Sequence, residues 1–279
     1  MLIGKKEFDV KNKTYIMGIL NVTPDSFSDG GKFNSMDRAL NHVEQMIREG
    51  ADIIDVGGES TRPGYTLISE DEEISRVVPV IEKIRKNFDT VISIDTYKSR
   101  VAEESAAAGA DLINDIWGCR YDPRMAEIIA ERGLACCLMH NRDVQKQPYE
   151  NLMEDVCRDL QQSIDIALAA GVQPEKIITD PGIGFGKNLE ENLYVMNHME
   201  QLLNLGYPVL LGTSRKSMIG LTLNLPADQR AEGTLVTTVM GVMKGCSFVR
   251  VHDVLANKRA IGMTEAILGK GCNHGQNNN

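Results

Sequence analysis

The sequence predicts an α/β protein, a (β/α)8 TIM barrel with an N-terminal β-hairpin. Eight compact apolar runs are rich in β-branched and aliphatic residues, which is typical of parallel strands covered on both faces. Stretches with the spacing of amphipathic helices lie between these runs. Six glycines fall where such a helix should end, a few residues before the next strand. Eight such units, roughly thirty residues apart, are what this barrel requires. A doubly wound sheet is the alternative, but no Gly-x-Gly-x-x-Gly follows the first strand.

A short hairpin-like segment precedes the barrel over residues 2–10 and should turn at residues 11–14. The eight predicted strands are residues 15–20, 52–56, 91–94, 111–114, 135–139, 177–180, 209–211 and 248–251. Ser69 with Glu72, and Asn188 with Glu191, fit the capping arrangement in which a side-chain oxygen and a carboxylate bind unpaired amides at a helix start. The glycines expected to end helices are Gly50, Gly109, Gly133, Gly171, Gly206 and Gly245.

Length and composition limit the classes of protein to consider. A barrel of this type takes about 250 residues, so we expect residues 1–268 to form one domain and residues 269–279 to be a disordered tail. The net charge of -9 disfavours a nucleic-acid partner, and no apolar run approaches the roughly 18 residues of a membrane span. The N-terminus lacks the apolar core of a signal peptide, which favours a cytoplasmic location. Six cysteines without a Cys-x-x-Cys pair are expected to be reduced and structural.

Polar residues end every predicted strand or follow it closely. They are Asn21, Asp55, Glu59, Asp95, Asn114, His140, Asp180, Lys216, Arg250 and His252. In this fold the catalytic face is the C-terminal rim, so the pattern predicts a site there. The partly buried Asp95, Asn114 and Asp180 need hydrogen-bond partners, which a flat heterocycle with amino and lactam N–H groups would supply. Alternatively, these side chains only tie the strands to neighbouring loops.

An anion site is predicted at the ends of the last two strands. Lys216, Arg250 and His252 occupy the rim position where this fold often binds phosphate. Strand alternation points Arg250 and His252 to the same side, although Arg250 could instead pair with a rim carboxylate such as Asp253. Magnesium is a possible cofactor because Asn21, Asp25 and Asp29 offer oxygen ligands beside the expected phosphate.

The glycine-rich segment 182–187 lacks the spacing and the Ser or Thr of a P-loop. We interpret it as a tight loop that brings Phe185 over the pocket. Ser214 is not interpreted as a nucleophile, because residues 212–216 lack the closing glycine of a nucleophile elbow.

Several ordered motifs together resemble dihydropteroate synthases, a pterin-binding family. They are residues 21–31 (Asn-Val-Thr-Pro-Asp-Ser-Phe-Ser-Asp-Gly-Gly), 55–64, 93–96, 114–115, 180–187, 214–217 and 250–253. The resemblance extends to about residue 268 and departs only after His140, where the family commonly has a Gly and a Pro. It implies a barrel that joins 4-aminobenzoate to 6-hydroxymethyl-7,8-dihydropterin diphosphate and releases diphosphate for folate synthesis. It also implies a homodimer and competition by sulfonamides.

The resemblance assigns roles to the matching positions. The pterin-binding residues are Asp95, Asn114, Ile116, Met139, Asp180 and Lys216. The diphosphate-binding residues are Asn21, Thr61, Arg250 and His252. The aminobenzoate-binding residues are Phe27, Arg62, Pro63, Phe185 and Ser217. For Mg²⁺ we expect two of the oxygen ligands named above, Asn21 and Asp29.

These assignments lead to a hypothesis about the chemistry. Lys216, Arg250, His252 and magnesium would stabilise the leaving diphosphate, while Asp95 stabilises a pterin cation that the arylamine attacks. Residues 22–31 would act as a mobile lid that carries Phe27 and Asp29 into place. Two alternatives stay open, namely a pterin-binding methyltransferase of related fold and a non-catalytic pterin-binding protein.

Overall fold

The computed structural model describes residues 1–22, 32–59 and 67–270, with the backbone alone for residues 32–35. The strands are β1 (Leu2–Ile3), β2 (Lys6–Glu7), β3 (Tyr15–Asn21), β4 (Ile53–Gly57), β5 (Val91–Asp95), β6 (Leu112–Asp115), β7 (Ala135–Met139), β8 (Ile177–Asp180), β9 (Leu210–Leu211) and β10 (Phe248–Val251). The α-helices are α1 (Lys32–Glu49), α2 (Glu70–Asn87), α3 (Ser99–Ala108), α4 (Met125–Glu131), α5 (Leu152–Ala169), α6 (Leu189–His198), α7 (Ser217–Leu223), α8 (Ala231–Met243) and α9 (Val254–Ile267).

Strands β3 to β10 form one eight-stranded sheet with the order β8, β7, β6, β5, β4, β3, β10, β9. Every neighbouring pair in this sheet is parallel. A single bridge between Thr179 and Val209 joins the two ends of the sheet, so the sheet closes on itself. The predicted (β/α)8 barrel is confirmed.

The local signals in the sequence place most elements correctly. Every barrel strand lies within one residue of its predicted bounds. Asn188 and Glu191 make both bonds of a capping box at the start of α6, whereas Ser69 only accepts from the Glu72 amide. The six predicted glycines all have positive φ, between +61° at Gly133 and +117° at Gly109, so each adopts the left-handed backbone that ends a helix.

The N-terminal hairpin is present, but the turn predicted at residues 11–14 is wrong. Leu2 pairs with Glu7 and Ile3 with Lys6, so the chain reverses at Gly4 and Lys5. Gly4 has φ +57°, a conformation that glycine adopts without steric cost. Residues 11–14 instead belong to a second turn, in which the Asn12 and Lys13 amides donate to the Asp9 carbonyl.

The lower half of the barrel is filled with apolar side chains. One cluster contains inward-facing strand residues together with Ile3 and Phe8 from the N-terminal segment. The Phe8 ring lies 4.8 Å from Tyr15 and 5.7 Å from Phe248, measured between centroids. The N-terminal segment therefore plugs the bottom of the barrel, which leaves the opposite rim for polar side chains.

No helix within the described ranges is long and apolar enough to span a membrane. Five cysteines there are free, and Cys272 lies outside the described residues. The division into a domain of residues 1–268 and a tail stays a prediction, because residues 271–279 are not described.

Replacing Phe8 by alanine should lower the free energy of unfolding by about 3–5 kcal/mol, because it removes a fully buried aromatic ring from the plug. Leu2→Ala is the matched control in the same segment, since Leu2 is 53% exposed. Urea denaturation measures both values. Equal losses in the two variants would contradict the plug.

Candidate active site

Gly57 ends β4. The two neighbouring strands, β3 and β5, end at Asn21 and Asp95, on either side of Gly57. A Cβ atom built on Gly57 would lie 3.7 Å from Asp95 Cβ and 3.8 Å from Asn21 Oδ1. Because Gly57 has no side chain, there is room for the Asn21 amide and the Asp95 carboxylate to face each other. This group lies at the carboxyl ends of β3, β4 and β5, on the rim where the sequence predicted a site.

A second group surrounds Gly212, directly after β9. A Cβ atom on Gly212 would lie 3.7 Å from Asp180 Oδ2 and 3.8 Å from Arg250 Cβ. The same position is 3.9 Å from Lys216 Nζ. One carboxylate and two cations from β8, β10 and the segment after β9 thus converge at the barrel mouth.

Arg250 connects the two groups through its guanidinium. Its Nε donates to Asp55 Oδ2 and its Nη2 donates to Asp95 Oδ2, each over 2.6 Å. The same Asp55 oxygen accepts from Asn114 Nδ2 over 3.2 Å. Asp55 has no exposed side-chain surface, and a carboxylate so deeply buried requires a cation or several donors.

Burial raises the pKa of Asp95 to about 7, against the opposing effect of Arg250. Burial alone would lower the pKa of Arg250, but Asp55 and Asp95 raise it above its ordinary value. The guanidinium is therefore permanently charged, whereas Asp95 can gain a proton near neutral pH.

Arg250 does pair with rim carboxylates, as the alternative interpretation held, but its partners are Asp55 and Asp95 rather than Asp253. Asp253 accepts instead from Arg215, over 2.6 Å from Nη2 and 3.2 Å from Nε. Arg215 has φ +57°, which turns its side chain toward this partner at the rim. Because Asp253 pairs with Arg215, the guanidinium of Arg250 pairs with the interior carboxylates of Asp55 and Asp95.

The loop after β8 holds Asp180 and Lys216. The Gly182 amide donates to Asp180 Oδ1 over 2.6 Å, and Lys216 Nζ donates to the Ile183 carbonyl. Lys216 Nζ also lies 4.7 Å from the centre of the Phe185 ring, a cation–π contact. Burial raises the pKa of Asp180 and lowers that of Lys216 to about 8.

An apolar wall lines the mouth beside these charges. Tyr97, Ile116 and Met139 are buried together, and Trp117 and Phe185 pack against them. Trp117 is the single tryptophan of the chain. The loop of residues 182–187 brings Phe185 against this wall and Lys216, and its role over a bound ligand stays a prediction.

His252 is held by Ser214 at the same rim. Ser214 Oγ lies 2.9 Å from His252 Nδ1 and accepts from the His252 amide over 3.2 Å. Ser217, at the first position of α7, is exposed beside Lys216. The hydroxyl of Ser214 therefore orients the imidazole.

His140 does not join the charged group at the mouth, although it directly follows β7. It is 1% exposed and contacts Asp159 of α5 and Lys187. Asp159 also accepts two bonds from Arg142, in the segment where the chain departs from the family pattern.

Two further features of the rim were not predicted. Asp55 was noted only as a strand end, although the alternation of β4 places it below Gly57 and inside the barrel. Lys98 donates to Glu59, to Glu73 over 2.7 Å and to the Ile68 carbonyl over 2.9 Å. The interior position of Asp55 could have been predicted from strand alternation, but no local signal in the sequence reveals the contacts of Lys98.

Some predicted site residues lie outside the described residues. They are Asp25, Phe27 and Asp29, within residues 23–31 of the predicted lid, and Thr61, Arg62 and Pro63. In the described part of the chain, no group of three or more His, Cys, Asp and Glu side chains has the arrangement of a metal site.

A closed barrel with paired carboxylates, an amide and cations at its C-terminal rim defines an enzyme-like site for a polar, flat and anionic ligand. A model of the family described as pterin binding enzyme matches residues 17–252. The chain belongs to this family. A dihydropteroate synthase of Clostridium beijerinckii is 63% identical over 96% of this chain and 99% of its own length. That of Bacillus subtilis is 56% identical over 95% and 92%.

Solved structures of other dihydropteroate synthases are similar to the whole chain. The Clostridium difficile protein in the presence of pteroic acid has a TM-score of 0.91 and 51% identity, covering 94% of this chain and 99% of that one. A Yersinia pestis sulfonamide complex has a TM-score of 0.89 and 44% identity, over 96% and 99%. The Xanthomonas albilineans protein with 4-aminobenzoic acid has a TM-score of 0.87 and 38% identity, over 92% and 94%.

Gly182→Ala should destabilise the protein more than Gly206→Ala, by about 1–3 kcal/mol. Both glycines have positive φ, +65° and +82°, so both substitutions cost the strain of a left-handed alanine. Only the Cβ atom at Gly182 would collide, at 1.8 Å from the His140 carbonyl oxygen, while nothing lies within 4 Å at Gly206. Chemical denaturation of both variants tests this close approach, which similar losses would disprove.

Proposed function

We propose that the chain is a dihydropteroate synthase, which condenses 6-hydroxymethyl-7,8-dihydropterin diphosphate with 4-aminobenzoate and releases diphosphate. One structural observation supports the proposal in addition to the similarity to known relatives. Carboxylates of Asp95 and Asp180, the Asn114 amide and the cations of Lys216 and Arg250 converge at one barrel mouth. A pterin diphosphate has hydrogen-bonding edges for the first three groups and an anionic tail for the cations.

The pterin ring fits the part of the site that combines hydrogen-bonding groups with an apolar wall. Asp95, Asn114 and Asp180 present acceptors and one donor to the edges of a heterocycle. Ile116 and Met139 supply the apolar surface against its faces. Polar edges and apolar faces are what a small planar ligand requires of its pocket.

The diphosphate is assigned to Arg250 and His252, with Asn21 beside them. The bonds of Arg250 to Asp55 and Asp95 use Nε and Nη2, so Nη1 is the nitrogen that neither carboxylate occupies. Ser214 fixes the orientation of His252 toward the same rim. Thr61 joins this group as an expectation from the family resemblance.

The aminobenzoate is assigned to the outer side of the same mouth. Phe185 contacts Lys216, and Ser217 is the next residue along the chain, so both lie beside the pterin group. Phe27, Arg62 and Pro63 complete this assignment as expectations. The Yersinia pestis relative forms a complex with a sulfonamide drug, which supports the expectation that sulfonamides bind this chain as well.

The reaction follows from charges held at fixed positions. When the bond between the pterin methylene and the diphosphate oxygen breaks, Lys216, Arg250 and His252 stabilise the negative charge that develops on the leaving group. Asp95, in its ionised form, stabilises the positive charge on the pterin. The weakly basic amine of 4-aminobenzoate then attacks the methylene and loses a proton, so no covalent enzyme intermediate is required.

Magnesium fits this site only together with the substrate. Magnesium commonly binds through one or two protein oxygens plus substrate phosphates, and Asn21 supplies one such oxygen beside the assigned diphosphate. Asp29 is the second expected ligand. The metal would neutralise charge on the leaving group.

The proposed reaction predicts that purified protein forms dihydropteroate and diphosphate from the two substrates, and more slowly when magnesium is removed. Arg250→Ala and Asp95→Asn should each lower kcat by about 100-fold or more, because each removes a charge that stabilises the transition state. Chromatography of the product and a diphosphate assay measure both. Lys258→Ala, a change at a half-buried lysine of α9 that pairs with Asp52 away from the mouth, is the control.

Near-normal turnover in either variant would contradict the role assigned to that residue. Transfer of a methyl group without diphosphate release would instead identify the alternative methyltransferase, and binding without any product would identify a non-catalytic protein.

We further propose that two copies of the chain associate through α8 and α9, and that the protein acts in the cytoplasm. Val236 and Met243 share one face of α8, Met263 and Ile267 share one face of α9, and all four are more than half exposed. The two helices pack side by side. A second copy is the commonest cover for such an apolar surface, through a two-fold interface.

The free cysteines support the proposed cytoplasmic location, because unpaired thiols are typical of a reducing compartment.

Val236→Asp combined with Met243→Asp should convert a dimer into monomers, because two buried carboxylates would face the partner without counter-charges. Light scattering of the purified protein gives the mass. Ile166→Asp on α5 is the control, since Ile166 is an exposed apolar residue of another helix. A monomeric unmodified chain would contradict the proposal.

A further inference from the structure

Lys187 closes the loop after β8 with an ammonium group that makes three hydrogen bonds. Nζ lies 2.9 Å from His140 Nδ1, 3.0 Å from the Phe185 carbonyl and 3.1 Å from the Gly182 carbonyl. All three acceptors are uncharged. Burial lowers the pKa of Lys187 to about 7, against the opposing effect of the Asp180 carboxylate. Such a group costs stability, so a role other than stabilising the fold would explain its presence.

His140 is set up to accept from Lys187. Burial, followed by the charge of Lys187, lowers the pKa of His140 to about 4, so its imidazole is neutral. Nε2 lies 3.3 Å from Asp159 Oδ2, and this carboxylate also accepts from Arg142 Nε over 2.9 Å. Because an ionised carboxylate can only accept, Nε2 carries the proton and Nδ1 is left as an acceptor.

The loop that Lys187 closes has an unusual backbone. Gly182, Gly184 and Gly186 have φ of +65°, +86° and +55°, and glycine reaches many other conformations equally well. The ammonium ties the carbonyls of residues 182 and 185 together, and Tyr149 Oη donates to the Gly186 carbonyl over 2.9 Å. These bonds select one shape for a segment that glycine would otherwise leave mobile.

That shape determines how two groups of the mouth are oriented. The Ile183 carbonyl accepts from Lys216 Nζ, and the Phe185 ring lies beneath the same ammonium. The Gly182 amide donates to Asp180 Oδ1. Both charged side chains therefore take their positions from the loop.

We propose that Lys187, oriented by His140, is a positioning residue for the pterin: it fixes the loop of residues 182–187 in the shape that orients Lys216 and Asp180. The identity of the ligand rests on the proposed function. The role of Lys187 rests on the contacts of the loop.

Lys187→Met tests the proposal because methionine fills similar space and makes none of the three bonds. We expect the Kd for pteroic acid and the KM for the pterin diphosphate to rise about tenfold to a hundredfold. The melting temperature should stay within about 3 °C or rise, since a disfavoured charge is removed. Calorimetry and the fluorescence of Trp117 report binding.

Lys176→Met is the matched control. Lys176 precedes β8 at the opposite end of the barrel and also donates to a carbonyl, that of Gly133. It should change neither binding nor KM. An unchanged pteroic acid Kd in Lys187→Met would overturn the proposal, whatever happens to the melting temperature.

Two substitutions of His140 test the link independently of the lysine. His140→Asn keeps an acceptor near the Nδ1 position and should retain pteroic acid affinity to within about threefold, whereas His140→Leu should lose it as Lys187→Met does. Equal affinity in the two variants would overturn the role of His140. If Lys187→Met weakens pteroic acid binding but the unmodified chain releases no diphosphate, the proposed function fails and the positioning role stands.

Discussion

The guanidinium of Arg250 between the carboxylates of Asp55 and Asp95 is the contact on which the mouth of the barrel depends. A carboxylate without exposed surface, such as that of Asp55, is tolerated inside a barrel only if its charge is compensated. The three residues come from β10, β4 and β5, so the contact fixes the ends of strands that are not all neighbours. With Asp180 and Lys216 nearby, three carboxylates face two cations. When all five groups are ionised, they carry one excess negative charge, so an anionic substrate needs further hydrogen-bond donors or positive charge, from His252 or a metal ion.

The two ends of the barrel have different roles: the lower end contributes to stability, and the upper end holds the groups for chemistry. The lower end is filled by strand residues and closed by Ile3 and Phe8, and it contributes apolar burial. The upper end holds buried polar groups that lower stability unless they pair with one another. This division is general in the fold, because loops at the carboxyl ends can vary without disturbing the packed interior. Asp55 lies where the two halves meet, one layer above the apolar cluster.

The fold and much of the rim could be predicted from the sequence, because both depend on local signals. Continuous apolar runs located the strands, and glycines before six of the eight strands marked the helix ends. Partners remote in the chain could not be predicted. Arg250 is 195 residues from Asp55, and alternation shows the side it faces but not which of several carboxylates it meets. His140 ends a strand as the site residues do, but its partner Asp159 on α5 draws it into a separate buried network. The hairpin turn was misplaced because four polar residues at positions 11–14 gave a stronger turn signal than Gly4 alone.

The closure between β8 and β9 has a consequence for the pterin group. Five registered pairs join β3 to β4, whereas a single bridge, between Thr179 and Val209, joins β8 to the strand beside it. The free energy needed to separate two strands grows with the number of hydrogen bonds between them, so this seam is the most compliant line in the barrel wall. Asp180 lies on one side of the seam and Lys216 follows the strand on the other. If a bound ligand widened the barrel, the wall would therefore open first between Asp180 and Lys216. The attraction between these two opposite charges favours the closed arrangement of the strands.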